Sequence, residues 1–189
     1  MKKRVSACED REGGGPARRD LVIVITGNGK GKTTASLGQA LRAIGHGYRV
    51  CMIQFMKGRI YGELLAAEKY LPPLKIHRCG SDSFVMRGNH ALVDVEMAAK
   101  GMALARAMID SGDYDMVILD EINVAMDFSL VPVADVISLI RNRPAGVDLI
   151  LTGRCAPAEI MEIADTVSEV REVKHHYQAG IKDREGIEH

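Results

Sequence analysis

The segment from Leu21 to Ile44, LVIVITGNGKGKTTASLGQALRAI, constrains this chain more than any other. An apolar run feeds a loop rich in glycine, and the loop feeds an Ala, Leu and Gln-rich stretch, which is the strand, glycine loop and helix order of a Walker A site. The chemistry follows from the residue types. Glycines let successive backbone N–H groups turn inward around phosphate oxygens, and the helix that follows offers its positive N-terminal end. Lys32 adds a point charge, and the Thr33 hydroxyl can ligate magnesium. Against G-x-x-x-x-G-K-[ST] one position departs: Thr26 stands where the first glycine is expected, and Gly27 follows it. Gly27, Asn28, Gly29, Lys30, Gly31, Lys32, Thr33 and Thr34 are the candidate triphosphate cradle.

Downstream, MVILDE ends a buried apolar strand in two acids, Asp120 and Glu121. A Walker B acid in that place holds magnesium, so Thr33, Asp120 and Glu121 are the candidate metal site, for Mg2+ or Mn2+. Local charge agrees. Leu21 to Gly62 contains no acid and six bases: Lys30, Lys32, Arg42, Arg49, Lys57 and Arg59. A polyanion is welcome there. Most acids between His90 and Asp135 read as solvated faces.

Around the loop, short apolar runs alternate with helical stretches, the pattern of a parallel sheet covered on both faces. The expected strands begin at Leu21, Val50, Leu74, Met116, Asp148 and Val167. Thr33 to Ile44, Tyr61 to Tyr70, a long amphipathic segment from Leu92 to Ile109, Val133 to Arg141 and Ala158 to Ala164 are the expected helices. The fold class is α/β, with a mostly parallel sheet of about six strands. Residues 1–20, with three consecutive glycines and mixed charge, read as a mobile arm, and 21–189 as one domain.

Composition excludes several classes. With 47% apolar and 26% charged residues, the chain has a globular profile. No apolar run reaches the roughly 18 residues of a membrane helix. Lys and Arg number 25, Asp and Glu 25, so no overall field steers it to nucleic acid or anionic lipid. Cys8, Cys51, Cys79 and Cys155 form no C-x-x-C pair, and the N-terminus lacks a secretory apolar stretch, so a cytoplasmic location is expected.

A GTPase reading fails for want of an N-K-x-D after a strand. A small-molecule kinase or ATPase stays open, with Arg141, Arg143 and Arg154 as conceivable lid arginines. Ten blocks carry a closer likeness: GNGKGKTT from Gly27, GHG from Gly45, QFMKG from Gln54, GE at Gly62, LDEIN from Leu119, NRP from Asn142, LTGR from Leu151, ADTVSE from Ala164, VKHHYQAGI from Val173 and GIE from Gly186. In this order and spacing the chain resembles the ATP:corrinoid adenosyltransferases of the cobalamin pathway.

The resemblance implies a P-loop NTPase (RecA-like) fold, a homodimer, and an electron donor such as a reduced flavoprotein. It further implies transfer of the 5′-deoxyadenosyl group of ATP to the cobalt(I) of a reduced corrinoid, with tripolyphosphate leaving, in adenosylcobalamin biosynthesis or salvage. The amides of Gly29 and Gly31, with Lys32 and magnesium, would then stabilise the departing anion. Lys32 and Glu121 are the candidate catalytic residues, Glu121 as a magnesium partner of Thr33. By block matching, Arg154 contacts phosphate, Lys57 and Glu63 border the nucleotide, and Arg42 reaches the nucleoside side.

The corrinoid face departs from the family, which commonly shows phenylalanine and tryptophan two apart. Here Phe84 fits and Met86 replaces the indole, leaving both as candidate corrinoid contacts. A nucleotide-gated corrinoid-binding protein is therefore a further alternative. His175 and His176, read as strand residues, point to opposite faces and cannot grip one ion together, so they are assigned structural or surface roles. The arm has two readings, closure over a partner's nucleotide site or disorder.

Overall fold

The computed structural model describes residues 20–80 and 91–188. Its centre is one six-stranded sheet in the order β3-β2-β4-β5-β1-β6. The strands are β1 (Val22–Thr26), β2 (Val50–Phe55), β3 (Leu74–Cys79), β4 (Met116–Asp120), β5 (Asp148–Thr152) and β6 (Thr166–Glu169), and every pairing is parallel. β2 and β4 are buried along their whole length. Apart from Gln54 and Asp120 near their carboxyl ends, they are apolar throughout, because both of their faces are covered.

Helix placement follows from strand order. The chain leaves β1 for β2 through α1 (Lys32–Gly45) and β2 for β3 through α2 (Gly62–Tyr70), both steps in one direction across the sheet. It returns in the other direction through α3 (Leu92–Asp110), α4 (Ile122–Asp127) with α5 (Val133–Arg141), and α6 (Ala158–Ile163). Right-handed crossovers therefore put α1 and α2 on one face and the other four on the opposite face. The two cores show this split. Ala40, Ala43 and Ala67 pack with Ile25, Met52, Ile118 and Ile150, whereas Ala105, Ile109, Ile122, Leu139 and Ile160 pack with Val24, Ile53, Phe55, Leu119 and Leu151.

Boundaries have local causes. Gly31, at φ 114°, turns the chain into α1. At α3 the Asp94 carboxylate accepts the Ala91 N–H at 3.0 Å, and Asp94 is only 7% exposed. Asp94 is thus a helix cap rather than a solvated surface acid. α4, six residues that start directly after β4, was not expected, since one and a half turns show no period. β6 stops at Glu169 and not near Val173, and all four of its residues are exposed, as suits an edge strand. Among the described residues no helix is long and apolar enough to cross a membrane.

Asp20, where the described residues begin, is tied to the sheet. Its carbonyl accepts from Arg143 Nη2 at 3.0 Å, and the same guanidinium donates to the carbonyls of Ile140 and Val147. Arg143 therefore ties α5 to the starts of β1 and β5, at the opposite edge of the sheet from the loop, and is no lid. Because all strands run parallel, the carboxyl ends of β1, β2, β4 and β5 open onto one edge, where open α/β sheets bind ligands.

Candidate active site

Thr26 still belongs to β1, which explains the missing glycine. Its side chain accepts the Ala156 N–H at 3.2 Å, and its carbonyl accepts from Val170 N at 2.8 Å. The tight turn falls one residue later, at Gly27, with φ 96°. A Cβ on Gly27 would lie 2.4 Å from the Val170 carbonyl oxygen, and one on Gly29 would lie 2.8 Å from the Arg171 carbonyl carbon. These glycines admit another piece of backbone. The Gly29 N–H donates to the Val170 carbonyl at 2.8 Å, and the Asn28 side chain accepts the Glu172 N–H at 3.2 Å. The Gly29 amide, expected to face the leaving anion, is thus committed to holding the loop in shape.

Lys32 begins α1 and is 7% exposed. Its ammonium donates to the Gly29 carbonyl at 2.7 Å, curled over its own loop. Burial holds its pKa below the ordinary lysine value; Glu121 and Asp120 draw it back up, and Arg154 adds to the lowering. Any anion that enters relieves the desolvated charge, and this is what a phosphate cradle needs.

Asp120 ends β4 with no exposure at all, and donors surround it. Oδ1 accepts from Thr33 Oγ1 at 2.9 Å and Thr152 Oγ1 at 2.7 Å; Oδ2 accepts from Lys57 Nζ at 2.7 Å and Gln54 Nε2 at 3.3 Å. Register supplies two of these partners: Gln54 lies directly opposite Asp120 across β2 and β4, and Thr152 ends the neighbouring β5. Gln54 Nε2 also donates to Glu63 at 2.8 Å, and Glu63 stands 3.8 Å from the Lys57 ammonium. Burial alone would depress the Lys57 pKa, but the charge and hydrogen bond of Asp120, with Glu63 and Glu121, leave it raised.

Glu121 caps α4 in the left-handed region, at φ 63°, with its N–H on Thr152 Oγ1 at 3.0 Å. A non-glycine residue held there carries strain of about 1–3 kcal/mol, which recurs at functional sites. Burial first, and Asp120 second, push its carboxyl pKa up; Lys57, Lys32 and Arg154 pull it down. Thr33 donates its hydroxyl proton to Asp120, whereas the resemblance implied Glu121 as its partner at magnesium.

A cavity of about 680 Å³ opens over the loop. Asn28 to Thr34, Lys57, Glu63, Glu121 and Arg154 all line it, as expected, and Asp120 lies beneath them. Arg42 does not: it occupies the last turn of α1, ten residues and about 15 Å along the axis from Lys32. Phe84 and Met86 fall outside the described residues. Tyr61 lines the cavity without having been singled out, as do His175, which was assigned a structural or surface role, and the stretch Gly186 to Glu188, which had been read only as a family block. Lys30 donates to the Ile187 carbonyl at 2.9 Å and pairs with Glu188 at 3.8 Å. The histidines are not in a strand. A 3-10 turn begins at His176, and the two rings stack at 4.5 Å on one side of the chain.

Thr33, Asp120 and Glu121 offer hard oxygen donors, which suit Mg2+ or Mn2+. Among the described residues no three His, Cys, Asp or Glu converge to hold a metal alone. Such an ion would need the phosphates of a nucleotide to complete its shell, which is the usual arrangement for magnesium in nucleotide sites.

The family model described as ATP:corrinoid adenosyltransferase BtuR/CobO/CobP matches residues 18–189. Over 187 residues the chain is 36% identical to the corrinoid adenosyltransferase of Escherichia coli K12, covering 98% of this chain and 90% of that one. It is 37% identical over 172 residues to the corrinoid adenosyltransferase CobA of Salmonella typhimurium LT2, covering 90% and 86%. It is 31% identical over 189 residues to that of Pseudomonas aeruginosa, covering 100% and 93%.

Proposed function

Since this chain belongs to the ATP:corrinoid adenosyltransferase family, we propose that it transfers the 5′-deoxyadenosyl group of ATP to the cobalt(I) of a reduced corrinoid. The cobalt(I) electron pair forms the Co–C5′ bond, the C5′–O bond breaks, and its electrons leave on tripolyphosphate. The observation that carries this reading is the convergence of Lys32, Arg154 and the Thr33–Asp120 pair on one cavity above the phosphate loop.

In that reaction the loop serves a leaving group. Lys32, desolvated and poised over the loop, meets the negative charge that grows on phosphate oxygen, and Arg154 supports it from the end of β5. Preorganised donors of this kind supply the largest share of many rate enhancements. No general base is required, because cobalt(I) is itself the nucleophile. Thr33, Asp120 and Glu121 would hold a magnesium or manganese ion, which neutralises triphosphate charge when bound. The Thr152 and Gln54 hydrogen bonds fix the Asp120 carboxylate for that purpose. Lys57 and Glu63 border the nucleotide, and Phe84 with Met86 are the corrinoid contacts. A homodimer, a reduced flavoprotein as electron donor and a cytoplasmic location complete the reading.

Incubation with Mg-ATP and chemically reduced corrinoid is expected to give light-sensitive adenosylated product and tripolyphosphate in equal amounts. Release of ADP in their place would sink the proposal and favour a kinase or ATPase. Lys32→Ala is expected to lose at least about 100-fold in kcat, the scale seen when one preorganised donor is removed, with unchanged circular dichroism. Retained turnover would remove the loop from the chemistry.

A further inference from the structure

Asp120 is fully buried, and three of its four hydrogen-bond donors, from Thr33, Thr152 and Gln54, are neutral. Its charge is met by Lys57, 2.7 Å from Oδ2. The same ammonium lies 3.5 Å from Thr33 Oγ1. Thr33 gives its proton to Asp120 Oδ1, so its hydroxyl lone pairs remain available to a cation, and the cation beside them is Lys57. Lys57 lies against two of the three side chains, Thr33 and Asp120, that would hold a divalent ion at this loop.

The geometry points to Lys57 as a built-in occupant of the cation seat: without nucleotide its ammonium takes the Thr33 and Asp120 oxygens, and a divalent cation gains them only in company with a nucleoside triphosphate. This rests on the reading of Thr33 and Asp120 as the metal site. Three observations support an exchange rather than a permanent bond. Lys57 lines the cavity, so an incoming triphosphate offers it a stronger anion on the open side. Glu63, at 3.8 Å, and the Tyr61 ring, at 5.3 Å, give the ammonium a second station within a short swing. A lysine is a compact charge on a flexible four-carbon stem and can make that swing while its backbone stays fixed. The backbone just before it is set, with Met56 at φ 57°. Metal entry is thereby tied to nucleotide entry.

The test is equilibrium dialysis of Mn2+ against the full-length protein without nucleotide. Wild type is expected to retain no Mn2+ at sub-millimolar concentrations; stoichiometric retention would overturn the proposal, and this arm needs no variant. Lys57→Met, of similar length and without charge, is expected to bind Mn2+ at least about tenfold more tightly than wild type. Equal affinities, in a variant whose circular dichroism is native, would overturn it. Adding Asp120→Asn to Lys57→Met is expected to abolish the gained site. A gained site that survives loss of Asp120 would show that the metal assignment itself is wrong, and the proposal falls with it. Equal affinities would remove the Lys57 role alone.

Discussion

Glu121 illustrates how a single side chain at a candidate site can cost stability. Burial and the neighbouring Asp120 raise its pKa, so the folded state holds that proton more readily than the unfolded chain does. Stability therefore falls as pH rises from the ordinary carboxylate range, about 4.3, through the raised value, and the penalty stays in full above it. Glu121→Gln keeps the shape and removes the charge. At neutral pH it is expected to raise Tm by a few degrees, and the gain should fade as pH falls through the raised pKa. Adenosylation turnover should drop in the same variant. A Tm that falls at neutral pH would show that the Glu121 charge is well compensated by Lys57, Lys32 and Arg154. The opposed pair, more stable and less active, is the signature of a group kept for function.

Elements explain why one glycine of the loop is worth more than another. Gly27 and Gly31 both sit at positive φ, 96° and 114°, yet a Cβ on Gly27 meets Val170 backbone at 2.4 Å, whereas one on Gly31 meets nothing within 4 Å. Gly31→Ala should cost only the left-handed penalty, about 1–2 kcal/mol. Gly27→Ala adds a collision between two backbones and should cost about 2–4 kcal/mol in urea denaturation. Equal losses would mean that the segment after β6 gives way easily. The loop, the strand that precedes it and the acid pair were legible in the sequence because their signal is local: composition and spacing within one stretch. What escaped was non-local. Nothing in a linear reading places Gln54 opposite Asp120, or Thr152 beneath it, since strand order decides both. Arg42 shows a related limit: a shared sequence block does not reveal that a helix carries its far end about 15 Å away. The histidine pair followed a strand extrapolated past Glu169, where the chain had already left the sheet.

The whole molecule sets the chemistry of its thiols. Cys51 lies in the fully buried β2, where burial and the nearby Cys79 push its pKa to about 12, and burial raises that of Cys79 as well. Of the cysteines in the described residues, Cys155 alone is exposed. A disulfide reagent at pH 8, with peptide mapping by mass spectrometry, should label Cys155 quickly and Cys51 only at the rate of global opening, since thiolate and access are both required. Fast labelling of Cys51 under native conditions would show that the sheet centre opens locally. The neutral overall charge is likewise a sum over unlike parts, of which the fold brings Lys30, Lys32 and Lys57 from the basic stretch and Glu121 from the acidic one to the same cavity.

The clamp on the phosphate loop also orders events in time. Asn28 and the Glu172 that donates to it are 144 residues apart, and Val170 holds both Thr26 and Gly29. A ribosome makes the loop early and its clamp late, so a growing chain carries the complete nucleotide motif through most of its synthesis with nothing to hold that motif's outer side. The loop gains these outer hydrogen bonds only once the residues after β6 have emerged and docked. A message cut short after Thr152 would encode the loop, the lysine and both acids, and still yield a polypeptide that lacks the backbone against which the loop is shaped.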